Sequence, residues 1–152
     1  MVGIGMSHSV QSDADVEALS RQVIAGTFPK QQWDTAAHLI VATWVMVTSH
    51  DLKADLEVPR IIRAYNVATG VANTHSSGYH ETMTLANLRA IASVLAGLPQ
   101  AMPLHRACQA VLSSRFRDKN WVFAYWSPGL MMSPRARQTW VEPDLLPLPM
   151  ER

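Results

Sequence analysis

Apolar residues recur every three or four positions along most of the chain, which is the helical repeat. Asp13 or Asp15 can cap a first helix, which carries apolar residues at the helical spacing of positions 16, 19, 23 and 24. A second helix is predicted over residues 31–49, and its middle is apolar on nearly every side. A helix without a polar face is normally buried, so this one is predicted to lie at the centre of the domain.

Proline and glycine divide the rest of the chain into further helices. Pro59 is placed at the first turn of a third helix, and Gly70 ends it. A polar loop then precedes the fourth helix. The later helices are predicted over residues 58–69, 79–96, 103–116 and 119–126, with one more after Ser133 and Pro134. The predicted fold is all-α, a single-domain bundle of about six to seven helices around a buried central helix.

The length and composition suit one domain. The chain has 152 residues, of which 48% are hydrophobic and 16% charged, and such a composition excludes general intrinsic disorder. We predict a disordered N-terminal extension at 1–12, a helical domain at 13–142 and an extended Pro-rich C-terminal tail at 143–152.

Charge and cysteine content restrict the partners. Thirteen basic and twelve acidic residues give a net charge of +1, so a nucleic-acid partner has no electrostatic support. The longest apolar run, residues 36–47, is interrupted and too short to span a membrane. The N-terminus lacks the basic residues of a secretory signal, and Cys108 alone cannot form an intrachain disulfide. We expect a cytoplasmic protein that binds a small molecule and could assemble as a homodimer, with no nucleic acid and no membrane partner.

His38 is the first candidate for chemistry, because it lies inside the most apolar helix. Asp34 and Thr35 come one turn earlier on the same face. An unsatisfied buried polar group costs about 1–3 kcal/mol, so His38 requires a partner. It is either a core histidine satisfied by that partner or part of a functional site.

The second candidate site is the segment Gly-Tyr-His-Glu-Thr, where the polar loop meets the fourth helix. Glu81 projects onto the same stripe as four apolar residues and is therefore expected to point toward the core; the stripe continues at positions 85, 88, 92 and 95. The alternative is an acid in the first helical turn, favoured there by the helix dipole.

These residues allow two kinds of catalytic site. His38, His80 and Glu81, with His75 nearby in the loop, offer the two imidazoles and one carboxylate that could hold one divalent ion, Fe, Zn or Ni. The second histidine of a zinc-protease helix is absent, since position 84 is Thr. Without a metal, His38, His80 and Glu81 are the candidates for acid–base catalysis.

Substrate-binding residues are predicted around the same site. Arg63 shares a helix face with Arg60, and paired guanidinium groups can hold an anion, although a solvated face paired with Glu57 is equally compatible. The residues expected to orient a substrate are Thr35, Arg63, Asn66 and Tyr79.

The chain also resembles an uncharacterised family of small helical bacterial proteins. The matching stretches are residues 33–39 (WDTAAHL), 63–70 (RAYNVATG), 77–84 (SGYHETMT), 125–141 (YWSPGLMMSPRARQTWV) and 142–149 (EPDLLPLP). The family has an aromatic-x-His-x-x-His-Leu segment upstream of Gly-Tyr-His-Glu-Thr. The resemblance implies that His38 is the second histidine of that segment, followed later by the pair His80 and Glu81. Thr35 stands where the family has its first histidine.

Two functions follow as expectations. The first is a small-molecule enzyme with a buried His/Glu pocket between helices, working by acid–base or metal-assisted chemistry of the elimination, isomerisation or hydration type. The second is a non-catalytic small-ligand-binding or interaction module, in which the histidines and the glutamate form a structural buried network.

Overall fold

A computed structural model describes residues 8–49 and 53–150, and every regular element in these ranges is a helix. The chain folds as one all-α domain. Its α-helices are α1 (Asp13–Ala25), α2 (Thr35–Thr48), α3 (Ala54–Ala68), α4 (Glu81–Ala96), α5 (Leu104–Leu112), α6 (Pro128–Met131) and α7 (Pro134–Gln138). The 3₁₀ helices are Lys30–Gln32, Arg115–Arg117 and Lys119–Ala124. No helix in these ranges has both the length and the apolar content needed to cross a membrane.

Side-chain caps decide where several helices begin. The Ser12 hydroxyl accepts from the Asp15 N–H at 3.1 Å, so Ser12 caps α1 and the predicted caps Asp13 and Asp15 lie in its first turn. The Asp34 carboxylate accepts from the Ala37 N–H at 2.9 Å, so α2 begins at Thr35 and not at residue 31 as predicted. These caps satisfy backbone N–H groups that have no partner within the helix.

The start predicted for α3 was wrong, because Pro59 lies inside the helix and not in its first turn. Proline prefers the first turn of a helix, because further inside it removes one backbone hydrogen bond of the helix. α3 nevertheless includes Pro59. Here the earlier turn is held by Ala54, which packs against the core, and its acids Asp55 and Glu57 suit the positive end of the helix dipole. Gly70 follows the helix with φ of 84°, as expected for a C-terminal stop.

The C-terminal third of the chain contains more helices, and shorter ones, than predicted. The helix expected over 103–116 ends at Leu112, and the one expected over 119–126 is the 3₁₀ helix Lys119–Ala124. The sequence pattern also missed α6, whose N-terminus the Ser127 hydroxyl caps by accepting from the Leu130 N–H at 3.3 Å. Helices this short carry too few residues for a periodic pattern to identify.

The core has three clusters of buried apolar side chains. One joins α1, α2 and α5, one joins α2, α3 and α4, and one packs the C-terminal segments against α4. α2 contacts α1, α3, α4 and α5, and most of its side chains are buried. Complete burial of a Leu or Ile side chain stabilises the folded state by about 1.5–3 kcal/mol, so these contacts hold the helices together.

Both ends of the described chain are attached to the domain. His8 bonds to the Asp34 carboxylate at 2.9 Å, so residues 8–12 pack on the domain although the predicted extension included them; residues 1–7 lie outside the described part. In the non-helical tail, Asp144 accepts from the backbone N–H and the hydroxyl of Ser127 at 2.7 and 2.6 Å. Residues 151 and 152 of the predicted tail are also outside the described part.

Candidate functional site

A cavity of about 450 Å³ lies between α2, α3, α4 and the 3₁₀ helix Lys119–Ala124. This volume is within the range of small-molecule sites. The apolar part of its wall is mainly aliphatic, from Leu39, Ala42, Val58, Ile62, Leu88 and Val122. The polar part comes from Asp34, Thr35, His38, His80, Thr84, Asn87 and Lys119. Two other hollows, against the C-terminal tail and between α1, α2 and α3, have no histidine in their walls.

One ring nitrogen of His38 is hydrogen-bonded to the protein, and the other is not bonded within the described residues. Its Nδ1 is 2.8 Å from the backbone oxygen of Asp34. A carbonyl oxygen can only accept, so Nδ1 carries the proton and donates it. Nε2 has no hydrogen-bond partner within the described ranges. It also keeps some solvent exposure, because within these ranges Ser20 Oγ is the one side-chain N or O atom that is both fully buried and unpartnered.

Packing and burial keep His38 in its neutral form. The Trp33 ring lies against the imidazole, with 3.8 Å between ring centroids and 31° between planes. Burial lowers the pKa of His38 below its ordinary value of 6.5, while the carbonyl and the charge of Asp34 oppose that effect. At pH 7, His38 therefore presents an unprotonated Nε2, which is the form that can accept a proton.

His80 lines the same cavity, but hydrogen bonds occupy both of its ring nitrogens. Nδ1 accepts from the Met83 N–H at 3.1 Å, so the side chain caps α4, and Nε2 donates to the Met131 carbonyl oxygen at 2.7 Å. Burial, assisted by the positive charge of Arg137, lowers the pKa of His80. In this arrangement neither nitrogen is available to a substrate or a metal ion.

Glu81 lies beside the cavity and does not line it. Its carboxylate Oε1 accepts from the Tyr79 hydroxyl at 2.7 Å, and the Arg63 guanidinium carbon is 4.2 Å from the centre of the Tyr79 ring. Burial, together with this carboxylate, raises the pKa of Tyr79, so the phenol keeps its proton. The stripe that Glu81 was predicted to head does face the core, since Leu85, Leu88 and Leu95 pack in the same apolar cluster as Tyr79, and Glu81 itself is half-buried at its start.

Asn66 supports the loop that leads into α4. Its amide donates to the Asn73 side-chain oxygen at 2.9 Å, and that oxygen also accepts from the Tyr79 N–H at 3.0 Å. Gly78 has φ of 79°, and a Cβ there would lie 2.5 Å from the Ala72 carbonyl oxygen. Of the predicted substrate-binding residues, only Thr35 lines the cavity; Arg63, Asn66 and Tyr79 belong to this loop and its neighbours.

The predicted metal ligands are not brought together. Within residues 8–49 and 53–150, no group of three or more His, Cys, Asp or Glu side chains is arranged to hold a metal ion. His80 has no free ring nitrogen, and Glu81 is engaged by Tyr79. The arrangement of His38, His80 and Glu81 therefore does not support the expected iron, zinc or nickel site.

Lys119, Thr84 and Asn87 are cavity residues that sequence reasoning missed. Lys119 comes from a segment far along the chain, so no local pattern connects it with His38. Thr84 and Asn87 are one helical turn apart on α4, and nothing in their spacing distinguishes a cavity wall from an ordinary polar helix face. The Asn87 side-chain oxygen accepts from the Trp121 indole at 3.0 Å, which joins α4 to the segment carrying Lys119.

Comparisons with known proteins give no assignment: no protein-family model, no curated protein and no solved structure matches the chain.

Proposed function

We propose that the protein is an acid–base enzyme acting on a small molecule in this cavity, with His38 as the general base. The observation that carries the proposal is the state of the His38 ring, with Nδ1 bonded to the Asp34 carbonyl and Nε2 without a partner among the described residues. A fixed tautomer with an accessible basic nitrogen is what proton abstraction requires.

In the proposed reaction, Nε2 of His38 removes a proton from a carbon next to a substrate carbonyl. The imidazolium that forms keeps its Nδ1–H bond to the Asp34 carbonyl, and the nearby Asp34 carboxylate favours the positive charge. His38 can then return the proton to another atom of the substrate. Proton removal of this kind begins isomerisations and many eliminations, the reaction types expected from the sequence.

His80 supports the proposed site as a positioning residue. Its two hydrogen bonds fix the start of α4 to the Met131 carbonyl, and α4 supplies Thr84 and Asn87 to the cavity wall. The stretches 33–39 and 77–84, which resemble the bacterial family, both contribute to this wall.

The proposal can be tested on a simple carbon acid. Proton NMR in D₂O measures the exchange of the C3 protons of 2-oxohexanoate with and without protein. We expect the protein to accelerate exchange. His38→Asn keeps an N–H donor near Nδ1 but has no Nε2, so the rate should fall by about 100-fold or more.

His75→Asn is the matched control, because it removes an exposed histidine that does not line the cavity. Its exchange rate should equal that of the parent. Equal rates for His38→Asn and the parent, or no acceleration by the parent, would contradict the proposal.

A binding protein is the second candidate, favoured by the hydrogen bonds that already occupy His80 and Glu81. These contacts leave His38 as the one histidine of the cavity wall with an unpartnered ring nitrogen among the described residues. If 2-oxohexanoate binds but the exchange of its C3 protons is not accelerated, this second candidate is favoured.

A further inference from the structure

We infer that Lys119 makes this cavity selective for small carboxylic acids with an aliphatic body. The inference rests on the proposed function, because it assumes that the cavity is the ligand site. It adds a substrate class and names the residue that would hold the carboxylate.

Lys119 brings to the cavity a positive charge that has no ion-pair partner among the described residues. It begins the 3₁₀ helix Lys119–Ala124, directly after Asp118, whose carboxylate caps that helix by accepting from the Asn120 N–H at 2.9 Å. The Lys119 ammonium has no ion pair or hydrogen bond within residues 8–49 and 53–150. It is exposed at the cavity wall and available to an incoming anion.

The acidic groups nearby have other partners. Asp34 lines the cavity, but its carboxylate already accepts from the Ala37 N–H and bonds to His8, each at 2.9 Å. Glu81 is outside the wall and is held by Tyr79. No carboxylate of the described residues is therefore paired with Lys119, and a ligand carboxylate can take that place through a charge-assisted hydrogen bond, which is stronger than a neutral one.

The rest of the wall defines the body of the ligand. The aliphatic side chains of α2, α3 and α4 offer apolar surface beside the polar groups of His38, Thr84 and Asn87. Each methylene group buried there should strengthen binding by about fourfold. The expected ligand therefore combines one carboxylate with a short hydrocarbon chain, and its reactive carbon lies within the cavity that His38 also lines.

The experiment compares hexanoate with two compounds of the same chain length, hexanamide and hexylamine, by isothermal calorimetry at pH 7. The parent should bind hexanoate about tenfold more tightly than hexanamide, which corresponds to about 1.4 kcal/mol, and should bind hexylamine more weakly still. Shortening the acid to butanoate should weaken binding by about 16-fold, about fourfold for each methylene removed.

Variants assign the preference to Lys119. Lys119→Met should reduce hexanoate affinity by about tenfold and leave hexanamide affinity within about twofold, and Lys119→Arg should retain the preference. Arg117→Met is the matched control: it removes the same charge two residues away, from a side chain outside the cavity wall. It should bind hexanoate like the parent.

Equal hexanoate affinity in Lys119→Met and Arg117→Met would overturn the inference, as would a parent that does not prefer the acid to the amide or does not bind the acid at all. His38→Asn separates this inference from the proposed function. If that variant keeps the Lys119-dependent preference while the parent fails to accelerate the exchange of 2-oxohexanoate, the carboxylate site stands and the catalytic proposal fails.

Discussion

Replacing His80 tests whether this residue is a structural cap. His80 is 8% exposed, its Nδ1 caps α4, and its Nε2 reaches the Met131 carbonyl 51 residues away. His80→Ala removes both bonds. His80→Asn keeps a side-chain oxygen that can cap the helix, because asparagine is among the best N-cap residues, but it is too short to reach Met131.

The expected losses follow from these two bonds. Losing an N-cap costs about 0.5–2 kcal/mol. Leaving the buried Met131 carbonyl without its partner costs about 1–3 kcal/mol. His80→Ala should therefore lower the free energy of unfolding by about 2–4 kcal/mol, and His80→Asn should recover about 1 kcal/mol of that loss.

Urea unfolding measures these differences, provided that the dependence on urea concentration is the same for each variant. His75→Ala is the control, and this exposed substitution should change stability by less than about 0.5 kcal/mol. A His80→Ala protein as stable as the control would refute the structural role. Equal stability of His80→Ala and His80→Asn would refute the assignment of Nδ1 as the helix cap.

The lowered pKa of His80 also predicts how the free energy of unfolding depends on pH. Burial lowers the pKa of folded His80 below 6.5, so the unfolded chain binds more protons in acid. The stabilisation is complete above about pH 6.5 and is lost as the pH falls toward the folded pKa. Between pH 7 and pH 5 the parent should lose more stability than His80→Asn, whose remaining loss includes that of His38. Parallel pH profiles would contradict this reasoning.

Two further substitutions test the surroundings of the site. Thr82→Val removes a buried hydroxyl that donates to the Thr139 carbonyl at 2.9 Å and accepts from the Val141 N–H at 3.2 Å, so thermal or urea unfolding should show a loss of about 1–3 kcal/mol. An unchanged stability would contradict that pairing. Glu81→Gln keeps an oxygen that can accept from Tyr79, so both stability and the exchange of 2-oxohexanoate should remain close to the parent values. A steep loss of exchange would return Glu81 to a catalytic role.

The fold was predictable wherever local signals decide it. Ser133 and Pro134 mark the start of α7, and the Ser133 hydroxyl does accept from the Ala136 N–H at 3.2 Å. The start of α3 was not predictable in this way. There the helix extends through the turn before Pro59, where Val58 is buried and Ala54 packs against the core, and such packing depends on the other helices.

The site was predictable only in part. A histidine inside an apolar helix needs a partner, which is why the sequence singled out His38. Whether its Nδ1 meets a carboxylate or a backbone carbonyl depends on the side-chain conformation, which the sequence pattern does not specify. His80 bonds to Met131, and Lys119 reaches the cavity from another segment, so neither role has a signal near it in the chain.

The most direct test of the central claim is a long-range ¹H–¹⁵N NMR spectrum of the imidazole rings at pH 7, with His38 assigned from the His38→Asn variant. We predict a neutral ring that carries its proton on Nδ1 and has an unprotonated Nε2, titrates below pH 6.5, and changes its Nε2 resonance when hexanoate is added. A ring protonated on Nε2 at pH 7, alone or together with Nδ1, would contradict the assignment of His38 as the base.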